Sequence, residues 1–176
     1  MLGKLFGKKK EEKSCGCGGS CNTSQASDKN LVVVPISGEI IPLEKVPDPV
    51  FAEKMMGEGF AIIPENGNIY SPVDGTIVVV QEAKHAIAIE SDAGDEIIIH
   101  FGIDTVNLGG KGFTTKVKVG DRVKAGDLIN VANIAEIEGK VPSIITPVLF
   151  TNLGAEDLVI TYGKATAKAV GVICKK

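Results

Sequence analysis

An all-β fold built as an antiparallel sandwich or barrel is what this sequence predicts, and three observations carry the prediction. Short β-branched or aliphatic runs recur along the chain, clusters of Gly, Pro, Asn or Asp bound most of them, and helical periodicity is almost absent. The 176 residues are 44% hydrophobic, enough for one real core, but only 5% aromatic and without Trp. Aliphatic side chains therefore have to fill that core.

The chain divides near residue 31. Residues 1–30 carry six lysines against three acids, while the remainder carries 13 Lys+Arg against 19 Asp+Glu, so a tail of +3 joins a body of −6. The tail is rich in Gly, Ser, Asn and Lys, a composition that buries too little apolar surface to offset its ordering entropy, and it is expected to be flexible. Lys8 to Lys13 fall where a secretory h-region would have to be, which predicts a cytoplasmic protein with reduced thiols. Leu2, Leu5 and Phe6 share one helical face beside lysines. That is the pattern of a weak membrane-surface anchor, on the inner face of the cell membrane, against the plainer reading of a frayed terminus. Cys15, Cys17 and Cys21 can hold a soft metal only with a fourth ligand that the neighbourhood lacks; a solvated thiol cluster is the favoured reading.

From Leu31 the strands follow in order. Leu31–Val34, Gly38–Ile41, Thr76–Val80, Ala86–Glu90, Glu96–Phe101, Leu128–Ala132, Val148–Thr151 and Ala169–Cys174 each read as strands. Pro49–Met56 and a turn around Ala155–Leu158 are the helical candidates. Val117–Asp127 repeats a Gly-Asp turn six residues apart, which suits a tight corner between strands.

Several function classes are excluded by the same composition. No apolar run approaches the roughly 20 residues a bilayer span needs. A net charge of −3 is not the balance of a nucleic-acid binder. His85 and His100 are the only histidines, a poor supply for a multi-ligand metalloenzyme.

The chemistry lies in one hairpin. If Ser91–Gly94 form a four-residue loop, Glu90 pairs with Asp95 and His85 stands directly opposite His100. Side chains so placed have Cβ atoms about 4.5–5.5 Å apart, whereas a one-residue slip sends them to opposite faces. One neutral imidazole is then a nucleophile for phosphorus and the other a hydrogen-bond donor to the phosphoryl oxygens. A structural contact or a chance metal site are the other readings of the pair. Asp104, four residues past His100, reads either as a carboxylate of the site or as a turn or cap residue.

Four segments, with Thr146-Pro-Val148 and the Val-Gly-Asp corner, carry a resemblance. They are Val46-Pro-Asp-Pro-Val-Phe-Ala-Glu-Lys54, Ser71-Pro-Val-Asp-Gly-Thr-Ile77, His85-Ala-Ile-Ala-Ile-Glu-Ser-Asp92 and His100-Phe-Gly-Ile-Asp-Thr-Val106. In order from Leu31 to the C-terminus, the chain resembles the glucose-type enzyme IIA domain of the bacterial phosphoenolpyruvate-dependent sugar phosphotransferase system. The resemblance implies a 31–176 domain folded as an antiparallel β-sandwich of the duplicated hybrid motif type. It implies His100 as the phosphoryl-accepting nucleophile and His85 as a supporting histidine needed more for onward transfer than for acceptance. It implies Asp48 and Asp104 as flanking acids that meet basic residues on partners, with Phe51 as an aromatic neighbour of the site. The implied partners are the histidine-containing phosphocarrier protein HPr, which donates the phosphoryl group, and a sugar-specific IIB domain with its membrane IIC domain, on separate molecules. No cofactor is required.

The chain departs from the family pattern at three positions. Many members carry Thr two residues before the supporting histidine, where this chain has Ala83, so a hydroxyl that orients His100 is missing and another group has to replace it. Gln81 and Ile98 stand where aromatic residues are expected around the site. Two other functions compete. Pro72-Val-Asp-Gly-Thr-Ile77 and the Gly-Asp corner resemble lipoyl or biotinyl carriers, but their order is reversed and Asn133–Pro142 offers no modified-Lys hairpin tip. Zinc at His85 and His100, in a hydrolase or a binding module, has two ligands and needs a third from a partner.

Overall fold

The computed structural model describes residues 31–176. The expected tail, with Leu2, Leu5, Phe6, Cys15, Cys17 and Cys21, lies outside the described residues. In chain order the strands are β1 (Leu31–Val32), β2 (Gly38–Pro42), β3 (Glu58–Pro64), β4 (Asn68–Tyr70) and β5 (Gly75–Val80). Then come β6 (Ala86–Ser91), β7 (Glu96–His100), β8 (Phe113–Thr115), β9 (Arg122–Val123) and β10 (Leu128–Ala132). The last are β11 (Thr146–Phe150), β12 (Leu158–Ile160), β13 (Gly163–Ala165) and β14 (Ile173–Lys175). Two four-residue helices, α1 (Pro49–Ala52) and α2 (Ile134–Ile137), and three short 3-10 turns complete the described elements.

The strands form an open eight-stranded sheet, ordered β13-β2-β3-β11-β7-β6-β5-β9, and two three-stranded sheets, β1-β14-β12 and β4-β10-β8. Every pairing is antiparallel. The fold is the predicted all-β sandwich, not a barrel.

The eight-stranded sheet is buried on both faces at its centre, and this positions the site. Phe60 and Ile62 of β3, Val148 and Phe150 of β11, and Ile97 and Ile99 of β7 point into the main core. The alternate residues Ala61, Leu149 and Ile98 point the other way, into a second cluster with Leu43, Val46 and Phe51. The 3-10 turn Leu43–Lys45 and helix α1 supply that cover. Burying one side chain such as Phe51 contributes about 1.5–3 kcal/mol. His100 ends β7 on the Ile98 face, so it emerges beside the second cluster rather than in the main core.

Two strand limits and one helix are shorter than expected. β1 stops at Val32, because the amides of Val33 and Val34 bond to the carbonyls of Pro72 and Ala169 instead of continuing the ladder. The last strand is confined to Ile173–Lys175. Helix α1 ends at Ala52, with Lys54 in the left-handed region at φ 57°. The Gly-Asp repeat forms two like turns: Asp121 accepts from the Lys118 amide at 2.9 Å and Asp127 from the Lys124 amide at 2.8 Å.

The hairpin register is corrected by one residue. Ala86, not His85, pairs with His100, and Glu90 pairs with Glu96. The Ser91 amide bonds to the Asp95 carbonyl, leaving a three-residue loop with Gly94 left-handed at φ 90°. Ser91 selects this loop: its hydroxyl accepts from the Asp95 amide at 2.9 Å and donates to the Asp95 carboxylate at 2.9 Å. A buried ion pair from Lys175 to the same carboxylate, 2.6 Å, pins the turn to β14.

Candidate functional site

The two histidines meet despite the corrected register. Their rings lie edge to face with centroids 4.8 Å apart. Strict face alternation holds only within extended backbone, and His85 precedes β6 at the end of the loop from β5. In that loop the Lys84 amide bonds to the Gln81 carbonyl and Lys84 is left-handed at φ 57°. The strand begins one residue later, so the slip that would separate two strand residues does not separate these rings.

His100 is oriented by its own chain. Its Nδ1 lies 2.9 Å from the Gly102 carbonyl oxygen. A carbonyl can only accept, so Nδ1 carries the hydrogen and, in the neutral ring, Nε2 keeps a free electron pair. This main-chain acceptor holds the His100 ring although Ala83 offers no hydroxyl. Gly102 has φ 72°, and a Cβ there would stand 2.6 Å from Thr105 Cγ2 and 3.1 Å from the Ser143 carbonyl. Only glycine fits, and sequence reasoning missed its role; a Gly two residues past a candidate nucleophile was the available signal. Thr105 braces the same turn by donating to the Phe101 carbonyl at 2.7 Å.

His85 is buried at 8% exposure, and its Nδ1 has no hydrogen-bond partner among the described residues. Ala83 is buried and lines the same open cleft, about 320 Å³, together with Gln81, Glu82, Val106 and Gly109. Burial first, and the neighbouring His100 charge second, push the His85 pKa down to about 4. His100 is also lowered, because burial outweighs the Gly102 hydrogen bond and the attraction of Asp48 and Asp104. Both rings are therefore held toward the neutral form at pH 7.

Asp48 caps helix α1, with Oδ1 accepting from the Val50 amide at 2.8 Å and Pro49 in the first turn. The cap brings Phe51 against His100, ring centroids 5.1 Å apart. Asp104 is exposed and left-handed at φ 59°; it occupies the cap position of the turn Thr105–Leu108, yet its side chain makes no capping bond. Ile98, partly buried, packs on the second cluster below His100, and Gln81 is exposed at the cleft. All five expected residues thus gather at one end of the sheet, with His100 at the centre.

Two imidazoles do not make a closed metal site. Among the described residues no group of three His, Cys, Asp or Glu side chains is placed to hold a metal ion, and His100 Nδ1 is committed to Gly102. Zinc at the pair would need ligands from another molecule. Among the described residues, no helix is long and apolar enough to cross a membrane.

The chain resembles known proteins in sequence and in fold. Residues 30–155 match the family described as the phosphoenolpyruvate-dependent sugar phosphotransferase system, EIIA 1. A "PTS system glucose-specific EIIA component" of Oceanobacillus iheyensis is 59% identical over 121 residues, 69% of this chain and 73% of the relative. One from Halalkalibacterium halodurans is 42% identical over 153 residues, 87% of this chain and 84% of the relative. The solved structure of glucose permease IIA from Mycoplasma capricolum is similar with a TM-score of 0.77 at 40% identity, covering 81% of this chain and 93% of that one.

Proposed function

The chain belongs to the EIIA 1 family of the phosphoenolpyruvate-dependent sugar phosphotransferase system, and on that premise we propose that it carries a phosphoryl group on Nε2 of His100. The reading rests on one observation above all: the hydrogen bond from His100 Nδ1 to the Gly102 carbonyl, 2.9 Å, which keeps the proton off the opposite nitrogen.

In the forward step the Nε2 electron pair attacks the phosphorus of phosphorylated HPr. The phosphorus–nitrogen bond on the HPr histidine breaks and that ring nitrogen takes the electron pair. In the second step a cysteine thiolate of a IIB domain attacks the same phosphorus, and His100 regains its Nε2 pair. Such transfers ask the protein mainly for positioning and charge stabilisation. His85 is neutral at pH 7 because its pKa is about 4. With Nδ1 buried and unpartnered, its hydrogen sits on Nε2, available to a phosphoryl oxygen. Phe51 shields one side of the nucleophile, which keeps water from competing. Asp48 and Asp104 face basic groups on HPr and IIB, while exposed Val50, Met55 and Val106 form an apolar rim for docking. The relatives named for glucose make glucose the first sugar to test. The protein acts in the cytoplasm, beside a membrane IIC domain.

The test supplies phosphoenolpyruvate, enzyme I and HPr and looks for acid-labile phosphate on this chain. Wild type is labelled and His100→Ala is not; label that persists in His100→Ala overturns the assignment. His85→Ala is labelled but delivers poorly to IIB.

A further inference from the structure

We infer that Asn130 is a positioning residue for His85, clamping the loop that delivers its ring to His100. Asn130 lies in the middle of β10, between Ile129 and Val131, and is 1% exposed. A primary amide there is out of place on hydrophobic grounds, since Ile129 and Ala132 of the same strand belong to the main core. Its side chain makes three hydrogen bonds. Its Oδ1 accepts from the Val131 amide at 3.0 Å and from the Thr115 hydroxyl at 3.4 Å. Its Nδ2 donates to the Lys84 carbonyl at 2.7 Å.

That last bond joins two sheets. β10 belongs to the sheet β4-β10-β8, while Lys84 lies in the loop between β5 and β6 of the eight-stranded sheet. Lys84 is left-handed at φ 57°, a conformation that L side chains adopt at a cost and that surrounding contacts have to hold. His85 follows at once. Its carbonyl accepts from the Phe101 amide at 2.8 Å, but its ring nitrogen Nδ1 has no partner among the described residues. Hydrogen bonding at Nδ1 therefore does not orient the imidazole. Its direction is inherited from the backbone at Lys84 and His85, and Asn130 is the side chain that holds that backbone. A hydrophobic residue at 130 would fill the same space and leave the Lys84 carbonyl unheld.

The consequence for transfer rests on the relay reading above, whereas the consequence for the ring does not, and the experiment separates them. Imidazole nitrogen NMR follows His85 and His100 in wild type and in Asn130→Leu. The expected result is a folded variant in which the His85–His100 ring contact weakens and the His85 titration moves up toward that of a free histidine, while His100 keeps its Nδ1–H form. Phosphoryl acceptance from HPr stays within about twofold and delivery to IIB falls about tenfold, the split expected when one ring is misplaced and the nucleophile is not. Adding Lys84→Gly, which takes the left-handed conformation without help, recovers most of the His85 signal. Asn130→Asp, of the same size with no N–H to donate, carries the test if the leucine variant does not fold. In wild type, a scalar coupling between the Asn130 side-chain nitrogen and the Lys84 carbonyl carbon is expected whatever the variants do. An unchanged His85 ring in a folded variant, or absence of that coupling, overturns the inference. Failure of wild type to accept phosphate overturns the relay reading and leaves the ring result standing.

Discussion

His85 and His100 stand edge to face, ring centroids 4.8 Å apart and planes at 79°. Burial disfavours a proton on either ring, and His100 adds to the penalty on His85, whose pKa is pushed down to about 4.

A stability profile follows from that depression. An unfolded histidine takes its proton near pH 6.5, whereas folded His85 waits until about 4. Between those values the unfolded state binds more protons, so stability is complete above pH 6.5 and declines as pH falls toward 4. The loss attributable to His85 is about 3 kcal/mol at its limit. Urea unfolding at stepped pH measures it, and His85→Gln should flatten the profile by a comparable amount. An unaltered slope in that variant contradicts the assignment.

Phe51 packs on His100 and is 6% exposed. Phe51→Ala opens a cavity in the second cluster and costs about 3 kcal/mol of stability. Because burial is the largest cause of the depressed His100 pKa, that pKa should rise in the variant. Histidine titration by NMR reads the shift, and a downward movement would contradict the account.

Gly102 cannot carry a side chain where it stands. Gly102→Ala forces a Cβ toward Thr105 Cγ2 at 2.6 Å in a left-handed backbone, a cost of at least about 1 kcal/mol. The displaced carbonyl no longer holds His100 Nδ1, so phosphoryl acceptance should fall by tenfold or more in the folded fraction. Equal acceptance would remove Gly102 from the site.

Lys175 and Asp95 form a buried pair at the far end of the hairpin, with side chains 12% and 6% exposed. Lys175→Met leaves the carboxylate unpaired and destabilises by about 3 kcal/mol. The histidines lie at the opposite end of β6 and β7, so the folded fraction should accept phosphate as wild type does. Thermal melts with single-turnover labelling separate the two effects.

Short aliphatic runs bounded by turn residues were legible in the sequence: β6 and β7 flank the Ser91–Asp95 turn, and β11 was read although both its faces are buried. β3, Glu58–Pro64, is a continuous apolar run because both faces are covered, and alternation never appears in it. The pairing of His85 with His100 was anticipated from a four-residue loop that does not form. The rings meet because Lys84 turns the chain just before the strand, a backbone feature with no compositional trace. Asp48 and Phe51 were recognisable only through family motifs, and spacing left Asp104 open between a site carboxylate and a turn residue, since their approach to His100 depends on α1 and on the turn at Gly102. Asn130 looked like one polar residue in a strand, and its partner lies 46 positions away.

The position of the phosphoryl group on the ring tests the central claim most directly. The protein is phosphorylated through enzyme I and HPr with its histidines labelled by nitrogen-15, and phosphorus–nitrogen coupling identifies the bonded atom. The geometry at Gly102 requires the bond to be at Nε2 of His100. Phosphate on Nδ1 of His100, or on His85, would contradict it.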